Sequence, residues 1–206
     1  MKLVTSLVML GLVFADDVLV HTSQREPRQR EDNRLLFNFL MAKPYHNQKP
    51  SRLGSYSFKN CGDPTKEELL VNQLTVSPDP VPSSGTITVT FSAQARAAVV
   101  SPVKATLLIN KDVFGAWIPV PCVDGFGSCT YDDFCQILSK SSSCPPPFIQ
   151  NKVPCKCPIP IGNYTLPGIS IKLNLSIIPP GGYSAKFDLE GATAPVGCYE
   201  VDFTLQ

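Results

Sequence analysis

The sequence has no histidine after residue 46, because its two histidines are His21 and His46. All eight cysteines lie beyond that point, from Cys61 to Cys198. A domain without histidine cannot use a Ser-His-Asp or Cys-His nucleophile, a histidine general base or a zinc site with a histidine ligand. The sequence therefore excludes most secreted hydrolase mechanisms, and we predict that the folded part is not an enzyme.

The sequence also lacks an apolar run of the length that crosses a bilayer, about 20 residues. The apolar stretch from Leu3 to Phe14 is shorter, follows Lys2 and precedes small Ala15 and two acids. This pattern predicts a signal peptide over residues 1–15 and a secreted protein.

The charges are divided unevenly along the chain. Residues 18–60 carry eight Lys or Arg against three acids, whereas the rest is mildly acidic and has no nucleic-acid footprint. We expect residues 16–55 to form a basic, disordered leader or propeptide, because its apolar patch at 35–41 is too small for a core. The alternative is an amphipathic stretch that touches a membrane, but Pro27, Pro44 and Pro50 leave little room for a helix.

Residues 56–206 are predicted to form one all-β domain. Apolar and polar residues alternate with a period of two, which is typical of half-buried strands. The segments that alternate are 87–91, 103–109, 169–177, 183–189 and 199–205, with a weaker candidate at 69–76. Six to eight such strands separated by turn residues predict an antiparallel sandwich or an open barrel.

An even number of cysteines behind a signal peptide predicts disulfides in an oxidising compartment. A structural zinc site is disfavoured. Only one residue separates Cys155 and Cys157, whereas zinc-binding pairs have at least two between them, and the sequence has no second closely spaced pair. Six cysteines fall within residues 111–160, where the alternation is lost and proline is frequent. We expect disulfides to hold these loops in place, and we predict neither a metal nor a cofactor.

Two readings of the remaining side chains stay open. The loops carry more apolar residues than the ends of a sandwich need, which favours lipid binding in an apolar cavity over simple closure of the ends. Asp132 and Asp133 are the nearest candidates for a glycosidase carboxylate pair. Adjacent acids in a polar loop are far more often a turn or a helix cap, so the hydrolase reading is the weaker one.

Several motifs resemble a known family. They are GAWIPVPC at 115–122, GSCTYDDFC at 127–135 and PCKCP at 154–158, supported by LTVSPDP at 74–80, SPVK at 101–104 and YTLP at 164–167. Over residues 56–206 the chain resembles the ganglioside GM2 activators, an outlying family of the ML-like lipid-recognition group. The resemblance implies an eight-stranded antiparallel β-cup with an apolar lipid cavity. It also implies the disulfides Cys61–Cys198, Cys122–Cys129, Cys135–Cys157 and Cys144–Cys155.

The function that the resemblance implies is non-catalytic. A cup of this kind extracts a lipid, in this family a glycosphingolipid, from a membrane surface and presents it to the lysosomal glycosidase β-hexosaminidase A. A tryptophan on one of the family's cavity-mouth loops is replaced here by Ile177 or Ile178, and the leader has no counterpart. The alternative is therefore a secreted lipid carrier, or lipid-sensing module, without an enzyme partner.

The apolar residues and the resemblance together predict a set of lipid-contacting side chains and two glycans. Asn163 and Asn174 lie in glycosylation sequons, and Asn174 falls on the polar face of its predicted strand. The predicted lipid-contacting residues are Phe91, Leu107, Trp117, Phe134, Ile137, Leu138, Phe148, Ile149, Ile177 and Ile178.

Overall fold

The computed structural model describes residues 27–42, 55–141, 143–175 and 178–206, with residues 27–29 described by their backbone alone. The predicted signal peptide and the parts of the leader at 16–26 and 43–54 lie outside the described residues. Within the described ranges the chain forms two antiparallel sheets and three helices, so the prediction of an all-β domain is confirmed.

A large and a small sheet face each other. The large sheet contains, in spatial order, β1 (Ser57–Asn60), β9 (Pro195–Leu205), β8 (Gly181–Gly191), β4 (Val103–Val113) and β5 (Ala116–Pro119), and β6 (Thr130–Tyr131) also pairs with β4. The small sheet contains β2 (Leu69–Ser77), β3 (Ser84–Ala95) and β7 (Gly162–Asn174). The helices are α1 (Pro27–Met41), α2 (Phe134–Ser139) and α3 (Pro146–Gln150).

The period-two pattern sets which side chains enter the core. In β7 the buried residues Ile171 and Leu173 alternate with exposed Lys172 and Asn174, as predicted. The described residues contain nine strands, whereas the resemblance implies eight. The short strands β1, β5 and β6 have too few residues for an alternation to be recognised, and β5 and β6 fall in the region predicted to be loops.

The sandwich has two ends that are closed in different ways. At the disulfide-closed end β3 ends, β4 begins, and α2 covers the opening, tied down by Cys135–Cys157. At the helix-closed end β4 and β7 end and β8 begins, and the C-terminal turn of α1 packs there. The short connections 96–102 and 175–180 fix these assignments, because each must join strands whose ends lie close together.

All eight cysteines form disulfides. The bonds are Cys61–Cys198, Cys122–Cys129, Cys135–Cys157 and Cys144–Cys155, the pairing that the resemblance implies.

The expectation of disorder is wrong for part of the leader, because residues 27–41 form α1. Pro27 is the first helical residue, where the missing N–H would have had no partner within the helix. Pro44 lies beyond the helical end. These prolines therefore flank the helix instead of breaking it. Asn33, Phe37, Leu40 and Met41 are its least exposed residues, and their spacing places them on one face.

Candidate lipid-binding site

Two apolar cavities lie between the sheets. The first, near the middle, has a volume of about 40 Å³ and is lined by Tyr56, Leu74, Val76, Val81, Ile87, Leu173, Leu175, Ala185, Val201 and Phe203. The second, toward the disulfide-closed end, has a volume of about 70 Å³. It is lined by Leu69, Val71, Phe91, Val99, Val103, Phe134, Cys135, Leu138, Cys157, Ile159, Phe187, Leu189, Val196 and Tyr199.

The polar groups in these linings are already bonded. The phenol of Tyr56 donates to the carbonyl oxygen of Leu74 at 3.0 Å, and that of Tyr199 donates to the carbonyl oxygen of Leu69. Burial raises the pKa of both phenols, so they stay protonated donors. Both cysteines are oxidised in Cys135–Cys157. The linings thus offer apolar contact and no nucleophile or general base.

The same two tyrosines join the sheets along one edge. Tyr56 precedes β1 and Tyr199 lies in β9 of the large sheet, whereas their acceptors belong to β2 of the small sheet. Backbone bonds add to this edge, including that from Val81 N–H to the Thr204 carbonyl at 2.8 Å. These bonds hold the two sheets together along the β2–β9 edge.

The cavities are small in this structure. Pockets that hold drug-sized ligands measure about 300–1,000 Å³. An acyl chain therefore enters only if the facing side chains move apart. Without a lipid, the apolar residues of the two walls contact each other. These contacts keep the same surface from water that a lipid chain would cover.

A third cavity, of about 20 Å³, lies under α1 at the helix-closed end. Its lining includes Met41 of α1 together with Ile109, Phe126, Leu175, Ile178, Tyr183, Ala185, Phe203 and Leu205. Leu175, Ala185 and Phe203 also line the first cavity. The space under α1 is therefore next to the space between the sheets.

Lys111 of β4 links α1 to the large sheet. Its side chain is 8% exposed, and its Nζ donates to the carbonyl oxygen of Leu40 at 2.6 Å and lies 5.9 Å from the centre of the Tyr183 ring. Burial lowers the pKa of this lysine. The carbonyls of a last helical turn carry partial negative charge, so an ammonium group there stabilises the helix end.

Sequence comparisons agree with this architecture. A family model described as the ML domain matches residues 55–205. The chain belongs to the ML domain family. The ganglioside GM2 activator of Macaca fascicularis is 33% identical over 163 residues, covering 75% of this chain and 85% of that protein. The Mus musculus ganglioside GM2 activator is 30% identical over 167 residues, covering 76% and 84%. The resemblance to the GM2 activators is thus confirmed.

A solved structure of a Niemann-Pick type C2 protein from Japanese carpenter ant is also similar. It is 12% identical and covers 73% of this chain and 99% of its own, with a TM-score of 0.39. That score is too low for further conclusions about this ML domain.

The structure distributes the predicted lipid-contacting residues over several places in the ML domain. Phe91, Phe134 and Leu138 line the second cavity, and Ile178 lines the third. Leu107 is buried in the main core, and Ile137 is half-buried against it. These six residues lie in or around the interior, as a lipid-contacting role requires, and that role remains a prediction.

Three other predicted residues do not line the cavities. Phe148 belongs to a separate small cluster with Val153 and Leu166 beside α3. Trp117 is 49% exposed on β5, and Ile149 is exposed on α3. Ile177 lies outside the described residues. The structure therefore does not bring Phe148, Trp117 or Ile149 to the cavities of the ML domain.

The sequence does not predict the lining of the first cavity, because the predicted lipid-contacting residues come mainly from the loop region. Ile87, Leu173 and Phe203 were recognised as the dry faces of strands but were not assigned to lipid. The signal that could have found them is the alternation itself, since the inward residues of two facing sheets form the walls of a cup.

Asp133 caps the N-terminus of α2, which is the alternative that the sequence favoured over a glycosidase carboxylate pair. It accepts from the backbone N–H of Cys135 at 3.0 Å, from that of Val103 at 3.1 Å and from the Ser101 hydroxyl. Partial burial alone would raise the pKa of Asp133, but these bonds and one from Gln136 hold it below its ordinary value. An ionised acceptor of this kind is a poor general acid. Asp132 is exposed.

The two predicted glycosylation sites lie on the surface. Asn163 and Asn174 are both exposed on β7, so a glycan on either would not disturb the core, and their glycosylation stays a prediction. Within the described residues no three His, Cys, Asp or Glu side chains are grouped to hold a metal ion. No helix in the described ranges is long and apolar enough to cross a membrane.

Proposed function

We propose that this ML domain protein is a lipid-binding and transfer protein that extracts a glycosphingolipid from a membrane surface into the space between its sheets. It presents the sugar head to a lysosomal glycosidase and so acts as an activator, the role that the name ganglioside GM2 activator gives to its relatives. The observation that carries this proposal is the lining of the two intersheet cavities, in which every polar group is already bonded.

The energetics suit a carrier. Each methylene removed from an apolar environment into water costs about 0.8 kcal/mol, so withdrawing a 16-carbon chain costs roughly 12 kcal/mol. Only an apolar cavity offsets that cost, and it does so without making the complex irreversible. Transfer needs this balance and needs no catalytic group.

A non-catalytic role also fits the chemistry of the described residues. The cavity linings contain no free base or nucleophile, and Asp133 is used as a helix cap. We propose that the chemistry belongs to a partner, β-hexosaminidase A, and that both proteins meet in the lysosome after passing through the secretory pathway.

The test measures extraction and stimulation separately. The purified protein should remove a fluorescent ganglioside from liposomes and should stimulate purified β-hexosaminidase A on membrane-bound ganglioside. Ala185→Phe fills the space shared by the first and third cavities and should abolish both activities. Leu108→Phe adds the same ring on the exposed face of β4 and should leave both unchanged. Extraction without stimulation would eliminate the activator role, and absence of extraction would eliminate the whole proposal.

The second candidate is a secreted lipid carrier without an enzyme partner. It is favoured by α1, which packs beside Ile178 at the helix-closed end, and by the replacement of a mouth-loop tryptophan of the family by Ile177 or Ile178. Retention of the protein in lysosomes, and not in the medium, would count against this candidate. A hydrolase would be identified by turnover that is lost in Asp132→Asn or Asp133→Asn.

A further inference from the structure

The two faces of α1 differ in what they contact. The inner face holds Leu40, which is 2% exposed, and Phe37, whose ring meets the Phe126 ring edge-on with centroids 5.5 Å apart. The outer face holds Leu35 at 65% and Phe39 at 66% exposed. An isolated helix of 15 residues is marginal in water, so the inner contacts are what keep α1 helical on the domain.

The inner contacts close the helix-closed end without covalent bonds. Met41 completes the third cavity, and the bond from Lys111 to the Leu40 carbonyl holds the last turn. Arg34 pairs with Asp124 at 3.5 Å, and both side chains are largely exposed, so this ion pair adds little. Moving α1 away would uncover the third cavity and, beside it, the first. At the opposite end, Cys135–Cys157 ties down the covering helix α2.

The outer face is suited to one partner, an anionic bilayer. Leu35, Leu36 and Phe39 form one exposed apolar stripe on the helix. The chain around it is basic, with eight Lys or Arg against three acids over residues 18–60. An exposed apolar stripe within a basic segment is the composition of helices that lie in a membrane interface. Exposed Phe114 and Trp117, on the β4–β5 hairpin, lie at the same end.

We propose that α1 is a lid over the lipid cup, and that an anionic bilayer opens it by taking up the outer residues Leu35, Leu36 and Phe39. Resting on the proposed function, this inference places the lipid entrance at the helix-closed end. In solution α1 covers the third cavity, which adjoins the first, and at a membrane α1 leaves the domain and stays in the interface. Lipid then passes from the bilayer into the space that Met41 and Phe37 vacate.

The membrane step is tested with the full chain and vesicles of phosphatidylcholine, alone or in an equimolar mixture with phosphatidylserine. The double substitution Leu35→Ser and Phe39→Ser should weaken co-sedimentation with the anionic vesicles by about tenfold or more, because two large apolar groups no longer enter the interface. Ile161→Ser removes an equally exposed residue, 68% exposed, beyond the opposite end and should change binding less than about twofold. Equal binding by the double variant, or an equal loss in Ile161→Ser, would overturn the membrane step.

The lid step is tested without a membrane, using lysophosphatidylcholine below its critical micelle concentration. Phe37→Ala should speed uptake by about tenfold, because the edge-on ring contact and part of the helix docking are lost. Leu40→Ala, which removes a different inner contact, should act in the same direction, and Asn38→Ser on the exposed face should match the wild type.

The two failures are distinguishable. If the wild type holds no lysolipid or ganglioside at equilibrium, the proposed function fails. If it holds lipid but both inner-face variants take it up at the wild-type rate, the lid inference alone is overturned.

Discussion

The two ends of the sandwich close similar apolar space by different means. At the disulfide-closed end α2 buries Phe134 and Leu138 against the sheets, and Cys135–Cys157 makes that cover part of the covalent framework. At the helix-closed end α1 buries Leu40, but side-chain packing and hydrogen bonds hold it there. A disulfide limits how far a cover can move from the sheets, whereas a cover held by packing can leave while the rest stays folded.

This difference predicts that the ends respond differently to equivalent damage. Changes at the disulfide-closed end should reduce the free energy of unfolding of the whole domain. Changes at the helix-closed end should alter access to the cavities and leave the global unfolding transition nearly unchanged.

The largest expected effect is loss of the Cys61–Cys198 bond, whose cysteines are 137 residues apart. In the chain-entropy model, removing it by Cys61→Ser and Cys198→Ser costs about 5 kcal/mol of unfolding free energy. The matched pair Cys122→Ser and Cys129→Ser opens a loop of separation 7 and should cost about 2.5 kcal/mol. Urea unfolding followed by circular dichroism measures both, and equal losses would contradict the argument.

A leucine-to-alanine pair compares the ends directly. Leu138 and Leu40 are both buried, at 6% and 2% exposed. Leu138→Ala leaves a cavity under a tied helix and should cost about 2–5 kcal/mol of unfolding free energy. Leu40→Ala should cost less than about 1 kcal/mol in the same transition, because α1 detaches before the domain unfolds. Faster proteolysis within α1 should report that detachment, and a global loss as large as that of Leu138→Ala would refute the comparison.

Asp133 should make stability at the disulfide-closed end depend on pH. Asp133→Ala removes a helix cap and should cost about 1–2 kcal/mol near neutral pH. Because hydrogen bonds hold the folded-state pKa of Asp133 below its ordinary value, its contribution is present above about pH 4. It is lost as the pH falls through the lowered folded-state pKa. The difference between wild type and variant should therefore shrink in acid, as urea midpoints at several pH values would reveal.

The control for that experiment is Asp132→Ala. Asp132 is exposed, so its removal should change stability by less than about 0.5 kcal/mol. A pH-dependent loss in this variant would mean that the carboxyl group of Asp133 is not the one that matters.

The smallest expected effect is at the helix-closed end. Asp124→Asn breaks the exposed ion pair with Arg34 and keeps a residue that tolerates the positive φ of 51° at this position. Exposed ion pairs contribute about 0–1 kcal/mol, and salt screens them. Lysolipid uptake should rise by less than about threefold at low salt and should match the wild type at high salt. A rise in uptake that persists at high salt would show that Asp124 does more than pair with Arg34.

Much of the fold could be predicted from the sequence, because alternation records burial directly. The inward residues of β8, β9 and the part of β7 from Ile169 onward follow from the pattern alone. The loop region was harder, because strands as short as β5 and β6 depend on pairing with β4, which the local sequence does not encode. Gly127 illustrates this dependence: a Cβ atom there would lie 2.2 Å from the Pro121 carbonyl oxygen, a contact made only after folding.

The leader and the site are harder to predict, because both depend on contacts between distant parts of the chain. Proline disfavours a helix in its interior, but at a helix start, as at Pro27, it costs little. The docked face of α1 consists of only a few residues, and its partners Lys111 and Phe126 are more than 70 residues away in the chain. Similarly, the cavity walls arise where two sheets face each other, which no single segment reveals.

Trp117 gives the molecule an optical signal of its own. It is the one tryptophan in the 206 residues, and it is half-exposed on β5, whose next residue, Ile118, pairs with Lys111. The intrinsic indole emission of the unlabelled protein therefore arises entirely at the helix-closed end. A blue shift of the emission on adding vesicles would report that the helix-closed end contacts the bilayer. A structural change confined to the opposite end would leave the spectrum unchanged.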